Sequence, residues 1–101
     1  MVGYALVGSC ADADAVGLGE VQAIYLYPDA RGRGFGRTLV DAAAERLDRA
    51  GFSAAVLWVL TDNHPARRFY ERSGFTLDGA ARMLDFDGIP VEELRYRRVI
   101  P

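Results

Sequence analysis

The chain has 101 residues, half of them hydrophobic, which is enough material for one modest core and therefore for a single domain. Its formal net charge is −2, so no global positive field favours binding to nucleic acid. All twelve basic residues are arginines, which excludes a catalytic lysine or a Schiff base.

The use of cysteine and the distribution of apolar residues predict a cytoplasmic protein. Cys10 is the one cysteine of the chain, which excludes an internal disulfide and fits a reducing compartment. No charged-then-apolar leader suggests export. The longest apolar run, residues 54–60, is far shorter than the roughly 20 residues of a membrane helix. We therefore expect no membrane partner.

The first predicted elements are two strands joined by a hairpin connection. Residues 2–9 are short and apolar and begin almost at the first residue, as if the strand had been cut from something before it. Residues 11–19 are small and turn-rich and predict the connection. Residues 20–27 predict the second strand, which Pro28 ends because it has no N–H donor.

Period-2 alternation predicts which side chains of this second strand share a face. One face would carry Glu20, Gln22, Ile24 and Leu26, and the other Val21, Ala23, Tyr25 and Tyr27. Glu20 is therefore expected at the start of the strand, on the same face as Leu26.

A glycine-rich loop, residues 31–37, follows the second strand and reads Arg-Gly-Arg-Gly-Phe-Gly-Arg. Its alternate glycines remove the Cβ atoms that would keep a ligand from the backbone, and a helix start follows directly. Such a loop predicts an anion site. The spacing differs from the dinucleotide fingerprint and lacks the Lys-Ser/Thr pair of a nucleotide-hydrolysing P-loop.

A helix and a buried strand come next. Over residues 34–50 the apolar stripe is predicted to be Leu39, Ala43, Leu47 and Ala50, and Gly51 supplies the stop. Residues 54–60 are continuously apolar, as in a strand covered on both faces. Strand, helix and strand form a βαβ unit with parallel strands, so a ligand is expected at the carboxyl ends of those strands.

The last third predicts a short helix and a hairpin. The helix begins near Asn63, whose side chain can cap it, and closes at Gly74. Its stripe is Ala66, Phe69, Tyr70 and Ser73. Two strands within residues 75–99 meet at Asp87-Gly88.

The remaining charged residues predict surface positions rather than a site. Asp12 and Asp14 are expected in a solvated turn. Charges on the last strand that discourage edge pairing account for Arg95, Arg97 and Arg98 better than contact with an acidic partner. His64 has no partners at ligand spacing, so no metal site is expected.

Two motifs in this order resemble the GCN5-related N-acetyltransferase (GNAT) family. The first is Arg31-x-x-Gly34-x-Gly36 after the strand that ends in Tyr-Leu-Tyr-Pro, and the second is Asn63-x-x-Ala66-x-x-Phe69-Tyr70-x-x-x-Gly74-Phe75. The resemblance covers nearly the whole chain but only the later part of the family's domain. It implies an α/β acyl-CoA N-acyltransferase-like fold, truncated at its N-terminal side, with a mixed sheet, splayed parallel strands in a central βαβ unit and a C-terminal hairpin.

The resemblance also implies acetyl-coenzyme A as co-substrate, bound between the splayed strands. Backbone groups of Ile24, Tyr25 and Leu26 would hold the thioester and the pantetheine. The pyrophosphate would bind the amides of Gly32, Arg33, Gly34, Phe35, Gly36 and Arg37, with charge-assisted contacts open to Arg31, Arg33 and Arg37. Asn63 matches a position that contacts the cofactor, and a helix cap is its other interpretation.

Two residues match catalytic positions of the family, each with a structural alternative. Tyr70 matches the general acid, although its place on the helical stripe also fits a core tyrosine. Glu20 resembles a family base, although a glutamate at a strand end is commonly solvated. Trp58 stands where a branch that acetylates ribosomal protein N-termini carries glutamate, which argues against that class of acceptor.

The sequence thus predicts an N-acetyltransferase that transfers an acetyl group to a primary amine of a small molecule or peptide. Direct attack is favoured over an acyl-enzyme, because Cys10 shows no sign of activation. The alternative is a non-catalytic acetyl-CoA-binding or structural module, completed by a homodimer or another chain. A nucleic-acid binder that uses its arginines is a third hypothesis, which the acidic composition opposes.

Overall fold

A computed structural model describes residues 3–100 as one five-stranded mixed sheet with two helices packed on a single face. Val2, predicted as the first residue of a strand, lies outside the described residues. The strand order is β1-β2-β3-β5-β4. The elements are β1 Gly3–Ser9, β2 Gly19–Leu26, α1 Phe35–Arg49, β3 Ala54–Leu60, α2 His64–Arg72, β4 Thr76–Phe86 and β5 Ile89–Val99. The predicted α/β class, the βαβ unit and the C-terminal hairpin are confirmed.

The predicted alternation of β2 is wrong, because the strand contains a bulge. Leu6 of β1 pairs with Ala23, and the next residue, Val7, pairs with Val21, so Gln22 is an extra residue in the ladder. A bulge of one residue reverses the facing of everything beyond it. Val21 and Ile24 consequently both pack in the core beneath the helices, although strict alternation puts them on opposite faces.

This reversal changes the place of Glu20. A Cβ on its neighbour Gly19 would lie 2.8 Å from Leu47 of α1, and Val21 is buried in the same core. Glu20, between them, therefore faces away from the helices, whereas Leu26 reaches Gly36 of α1. The expectation that Glu20 and Leu26 share a face is wrong.

The buried stripe of α1 is rotated from the predicted one. Ala43 and Leu47 are buried as expected, but Leu39 is half-buried and Ala50 is exposed. The remaining buried positions are Gly36, Val40 and Ala44. Apolar residues recur every three or four positions in both the predicted and the observed stripe of α1. The hydrophobic pattern alone therefore does not distinguish the two. The observed stripe packs on β3, which is buried on both faces as predicted.

The hairpin of β4 and β5 is confirmed, but β5 is not an edge strand. Asp87 and Gly88 form the turn, with φ values of 52° and 84°. β5 lies between β3 and β4 and pairs antiparallel with both. Arg95 on β5 is therefore inside the sheet rather than at an edge, and its side chain is only 3 % exposed. The prediction that Arg95, Arg97 and Arg98 discourage pairing at a sheet edge is wrong, because all three lie on this inner strand.

Arg95 is the centre of a cluster of ions on the outer face, which we define as the sheet face opposite α1 and α2. Its guanidinium donates to Asp14 at 2.7 and 2.8 Å, to Asp78 at 2.7 Å and to Asp12 at 3.1 Å. Asp78 lies in an irregularity of β4 next to Gly79, whose φ is 94°. The cluster ties the connection between β1 and β2 to the far hairpin, so Asp12 and Asp14 are not simply a solvated turn.

The cluster predicts a loss of stability in acid. Burial pushes the pKa of Asp12 upward, but hydrogen bonds from Arg95 and Trp58 outweigh this and leave it below its ordinary value. The Arg95 hydrogen bonds also lower the pKa of Asp14. Lowered carboxyl pKa values stabilise the fold above the unfolded pKa, about 3.9, and this contribution disappears as the pH falls through the folded values.

We therefore expect the urea midpoint of unfolding to fall between about pH 4 and pH 2. In a variant that carries both Asp12→Asn and Asp14→Asn, the fall should be shallower over the same range. Parallel slopes for the variant and the unmodified chain would contradict this assignment.

Candidate active site

A fork between the two parallel strands forms the candidate site. β2 and β3 pair at two positions, Gly19 with Ala55 and Glu20 with Val56. Within the described residues the two strands do not pair beyond Glu20. Beyond that point β2 keeps its bonds to β1 while its other edge is released from β3. The predicted splay of the parallel strands is thus present, and residues 24–26 of β2 have no pairing partner on β3.

A cavity of about 290 Å³ lies against the end of β2 that is no longer paired with β3. It is lined by Ile24, Tyr25, Leu26, Arg31, Gly36, Phe69 and Tyr70. Elements far apart in sequence, the end of β2, the start of α1 and the middle of α2, supply these residues. The structure therefore brings together the strand residues, the first arginine of the loop and the tyrosine that the sequence singled out separately.

The glycine loop enters α1 through left-handed backbone. Gly32 has a φ of 77° and Gly34, which caps the helix, a φ of 80°. Among residues 3–100, and apart from each glycine's own neighbours in the chain, no atom would lie within 4 Å of a Cβ added at either position, so the space in front of both residues is open. The first amides of a helix have no intrahelical acceptor. The first amides of α1 therefore lie beside this open space, and the positive end of the helix dipole favours an anion there.

Gly36 has a second, structural reason to be glycine. A Cβ there would lie 3.1 Å from two ring carbons of Phe69 on α2. Gly36, which also lines the cavity, therefore lets the two helices approach each other closely.

The loop arginines have different surroundings. Arg31 lines the cavity, donates from Nε to the carbonyl of Leu26 at 3.2 Å, and lies 5.6 Å from the Tyr25 ring centroid. Arg37 instead pairs with Asp41 at 3.1 Å and donates to the carbonyl of Arg72 at the end of α2. Arg33 is exposed. Among the three, Arg31 is the one placed at the cavity wall.

Tyr70 is held by aromatic neighbours. Its ring makes edge contacts with Phe69 and Phe75, at centroid distances of 5.3 and 6.0 Å. Burial raises the pKa of its phenol, so the hydroxyl carries its proton at neutral pH. Within residues 3–100 the hydroxyl has no hydrogen-bond partner. Tyr70 thus both packs against the core and lines the cavity.

Glu20 lies at the closed end of the fork, at the last recorded pair of β2 and β3. It does not line the cavity with Tyr70 but faces the outer side of the sheet. Burial raises the pKa of its carboxyl, the charges of Asp12 and Glu93 add to the rise, and Arg82 opposes it. A carboxylate with this raised affinity for protons is better suited to accept one than a solvated carboxylate is.

Asn63 is a helix cap. Its Oδ1 accepts a hydrogen bond from the Ala66 amide at 3.3 Å, and it begins α2 as predicted. Its side chain is not among those that line the cavity.

A cluster of aromatic and charged side chains on the outer face, near Glu20, was not predicted from the sequence. Arg82 lies 4.2 Å from the ring centroid of Trp58 and pairs with Glu93 at 2.8 Å. The Trp58 indole donates to Asp12 at 3.0 Å. These residues come from four separate segments, so no local spacing could have indicated the group.

Within residues 3–100, neither α1 nor α2 has the length and apolar character to cross a membrane.

Comparisons with known proteins point to one family. A profile described as the Acetyltransferase (GNAT) family matches residues 1–75. Mycothiol acetyltransferase of Geodermatophilus obscurus is 46 % identical over 59 residues, which cover 58 % of this chain and 19 % of that protein. The chain therefore spans about a fifth of the length of this curated relative.

Solved structures give the same fold. A protein from Desulfovibrio desulfuricans that is described as GNAT-family has a TM-score of 0.80 and 25 % identity, and the match covers 100 % of this chain and 62 % of that one. An acetyltransferase from Bacillus subtilis, solved in complex with CoA, has a TM-score of 0.79 and 16 % identity, with 100 % and 70 % covered. The second likeness, at this identity, concerns the fold alone.

Proposed function

Since the chain belongs to the GNAT acetyltransferase family, we propose that it binds acetyl-CoA in the fork between β2 and β3 and transfers the acetyl group to a primary amine. The observation that carries the proposal is the cavity that joins the open edge of β2, the glycine loop and Tyr70. The B. subtilis structure, which shares this fold, contains CoA. The acceptor class we propose is an amine of a small molecule or peptide.

The residues of the fork fit the parts of acetyl-CoA. The main chain of residues 24–26 offers strand-like hydrogen bonds to an extended amide chain such as pantetheine. The open space in front of Gly32 and Gly34 accepts a pyrophosphate against the amides of the helix start. Arg31 adds a positive charge at the same wall, where its hydrogen bond to Leu26 fixes its side chain.

The proposed chemistry needs two proton movements. When bound, acetyl-CoA supplies an acetyl group activated as a thioester. The amine nitrogen forms a bond to the acetyl carbon, the carbon–sulfur bond breaks, and no covalent bond to the protein is needed. Cys10 plays no part, since it is buried and burial raises the pKa of its thiol.

Glu20 would accept the proton of the amine, directly or through water. Deprotonating a free alkylamine with a pKa of about 10.4 costs about 4.6 kcal/mol at pH 7. A base near the amine would therefore lower the activation free energy of the reaction. Tyr70 would give its proton to the departing sulfur. A phenol pKa of about 10 against a thiol pKa of about 8.5 makes that transfer nearly thermoneutral, although burial of Tyr70 makes it slightly less favourable.

Calorimetry with acetyl-CoA and a thiol-release assay with a panel of primary amines test the proposal. We expect saturable binding and release of free CoA that depends on the amine. Binding without turnover on any amine would favour the non-catalytic module. Absence of binding to the folded chain would contradict the proposed function as a whole.

Tyr70→Phe tests the acid. The phenylalanine ring keeps the contacts with Phe69 and Phe75, so we expect unchanged folding and unchanged affinity for acetyl-CoA, with kcat lower by about a hundredfold. Steady-state kinetics and calorimetry check both quantities. Tyr4→Phe is the control, because Tyr4 stacks on Tyr25 outside the cavity lining and should keep full turnover. Wild-type kcat in Tyr70→Phe would remove the acid assignment alone.

A further inference from the structure

The helix that carries Tyr70 packs little apolar surface. Of the residues of α2, His64–Arg72, none is fully buried. Phe69 lies against Gly36 of α1, and both Phe69 and Tyr70 pack at the margin of the core. A short helix depends on its tertiary contacts, so further contacts are needed to fix the rotation of α2 about its own axis.

Tyr96 on β5 supplies such contacts from the sheet. Its side chain is fully buried, in the apolar cluster against which Tyr70 packs. The hydroxyl donates to Oε2 of Glu71 at 2.7 Å and accepts from Nε of Arg67 at 3.0 Å. Arg67 also donates from Nη1 to the carbonyl of Thr61, just before α2, at 3.0 Å. One hydroxyl of the core therefore joins β5 to two positions of α2.

The two hydrogen bonds of Tyr96 are suited to hold the helix in one orientation. Each has a charged partner, and charge-assisted hydrogen bonds are stronger than neutral ones. A guanidinium only donates and a carboxylate only accepts, so the hydroxyl has one arrangement that satisfies both. Arg67 and Glu71 lie one turn apart on the same side of α2, and Tyr70 directly precedes Glu71. A rotation of α2 that displaced Tyr70 would therefore break these bonds.

We propose that the Tyr96 hydroxyl is a positioning group that, through Arg67 and Glu71, fixes the rotation of α2 and so places the Tyr70 hydroxyl in the cavity. The proposal rests on the proposed function of Tyr70 as the acid. Tyr96 is not among the residues that line the cavity and touches neither reactant. The residues proposed to hold acetyl-CoA lie on β2 and at the start of α1, so its affinity should not depend on Tyr96.

The alternative is that Tyr96 only stabilises the fold. Removal of its hydroxyl lowers stability in either role, so stability does not separate the two. Dependence on Tyr70 does separate them. A positioning effect disappears when position 70 carries no hydroxyl, whereas a smaller folded fraction lowers the activity with either residue at position 70.

The first experiment needs no activity. NMR of the full chain with ring-labelled tyrosine and phenylalanine follows the contacts between Tyr70 and Phe75, whose ring centroids lie 6.0 Å apart. We expect Tyr96→Phe to change these contacts. Glu71→Gln should preserve them, because the glutamine oxygen still accepts from the Tyr96 hydroxyl. Unchanged contacts in folded Tyr96→Phe would overturn the proposal.

The second experiment is a double-mutant cycle on kcat at saturating acetyl-CoA. Tyr96→Phe should lower kcat about tenfold in the chain that has Tyr70, since a small misplacement of a reacting group is costly, and should leave the calorimetric affinity for acetyl-CoA unchanged. In the Tyr70→Phe background the same change should lower kcat by less than about twofold. Equal factors in the two backgrounds would show a purely structural role and overturn the proposal.

Arg67→Met breaks the same contact from the helix side and provides the test if Tyr96→Phe does not fold. Its matched control is Arg68→Met, since Arg68 is exposed, carries the same charge and does not bond to Tyr96. Arg67→Met should lower kcat severalfold and Arg68→Met should not. Equal measurable kcat in the two variants would also overturn the proposal.

The two experiments separate failure of this proposal from failure of the proposed function. Displaced ring contacts of Tyr70 in Tyr96→Phe, with no acetyl transfer by any form of the chain, would support the positioning role and count against the proposed function. Acetyl transfer that depends on Tyr70 but not on Tyr96 would support the function and overturn the positioning role.

Discussion

Replacing Gly34 by alanine is expected to weaken the binding of acetyl-CoA by at least about tenfold, the equivalent of one lost charge-assisted hydrogen bond. Gly34 has a φ of 80° at the cap of α1, and apart from its chain neighbours no atom of the described part of the chain lies within 4 Å of the position that a Cβ would take. The new methyl group would therefore meet the ligand rather than the protein. Calorimetry with acetyl-CoA measures the effect.

Strain at a positive φ is a separate effect of that substitution, and a second glycine controls for it. Alanine in left-handed backbone costs about 1 to 2 kcal/mol wherever it occurs. Gly17, with a φ of 87° and equally open surroundings, lies in the connection between β1 and β2. Gly17→Ala should lose the same stability and keep its affinity. If Gly34→Ala binds acetyl-CoA as tightly as Gly17→Ala does, the loop is not the pyrophosphate site.

The second large effect is expected at Arg95. Arg95→Met removes the cation shared by three carboxylates and should lower the free energy of unfolding by about 3 to 5 kcal/mol. The side chain of Asp78 is 10 % exposed, so its charge would keep only the 3.5 Å ion pair with Arg97 and would have little access to water. Urea denaturation measures the loss.

Two further variants test whether the poorly compensated charge of Asp78 causes the loss of stability in Arg95→Met. Adding Asp78→Asn to Arg95→Met should recover part of the lost stability, since it neutralises a poorly solvated carboxylate that has lost its shorter ion pair. Arg49→Met removes an exposed pair with Glu45, whose side chains are 67 % and 66 % exposed, and should change stability by less than about 0.5 kcal/mol. A loss at Arg95 no larger than at Arg49 would show that the cluster contributes little.

Local chemistry made parts of this fold predictable. The cap at Asn63, the glycine that ends α2 and the Asp87-Gly88 turn each depend on a few adjacent residues, and all three are present. The continuous apolar run of β3 likewise identified a strand buried on both faces. Within the candidate site, the loop and Tyr70 were found by motif, and the fold brings both to one cavity.

The features that could not be predicted from the sequence depend on pairing between strands that are far apart in the chain. The extra residue Gln22 is visible only in the register with β1, and without it the face of Glu20 is assigned wrongly. Arg95 could be recognised as buried only once β5 was known to lie between β3 and β4. The roles of Glu20, Tyr70 and Asn63 in catalysis or binding stay predictions.

The bulge at Gln22 makes β2 serve both sides of the sheet. Before it, the outward side chain is Glu20, and after it Ile24 and Leu26 turn toward the helices and the fork. The face of β2 that carries Glu20 and the face that lines the cavity are thus separated by one extra residue, Gln22. Deleting Gln22 would leave the composition almost intact yet exchange inside and outside along half the strand, so β2 should tolerate many substitutions there but no change of length.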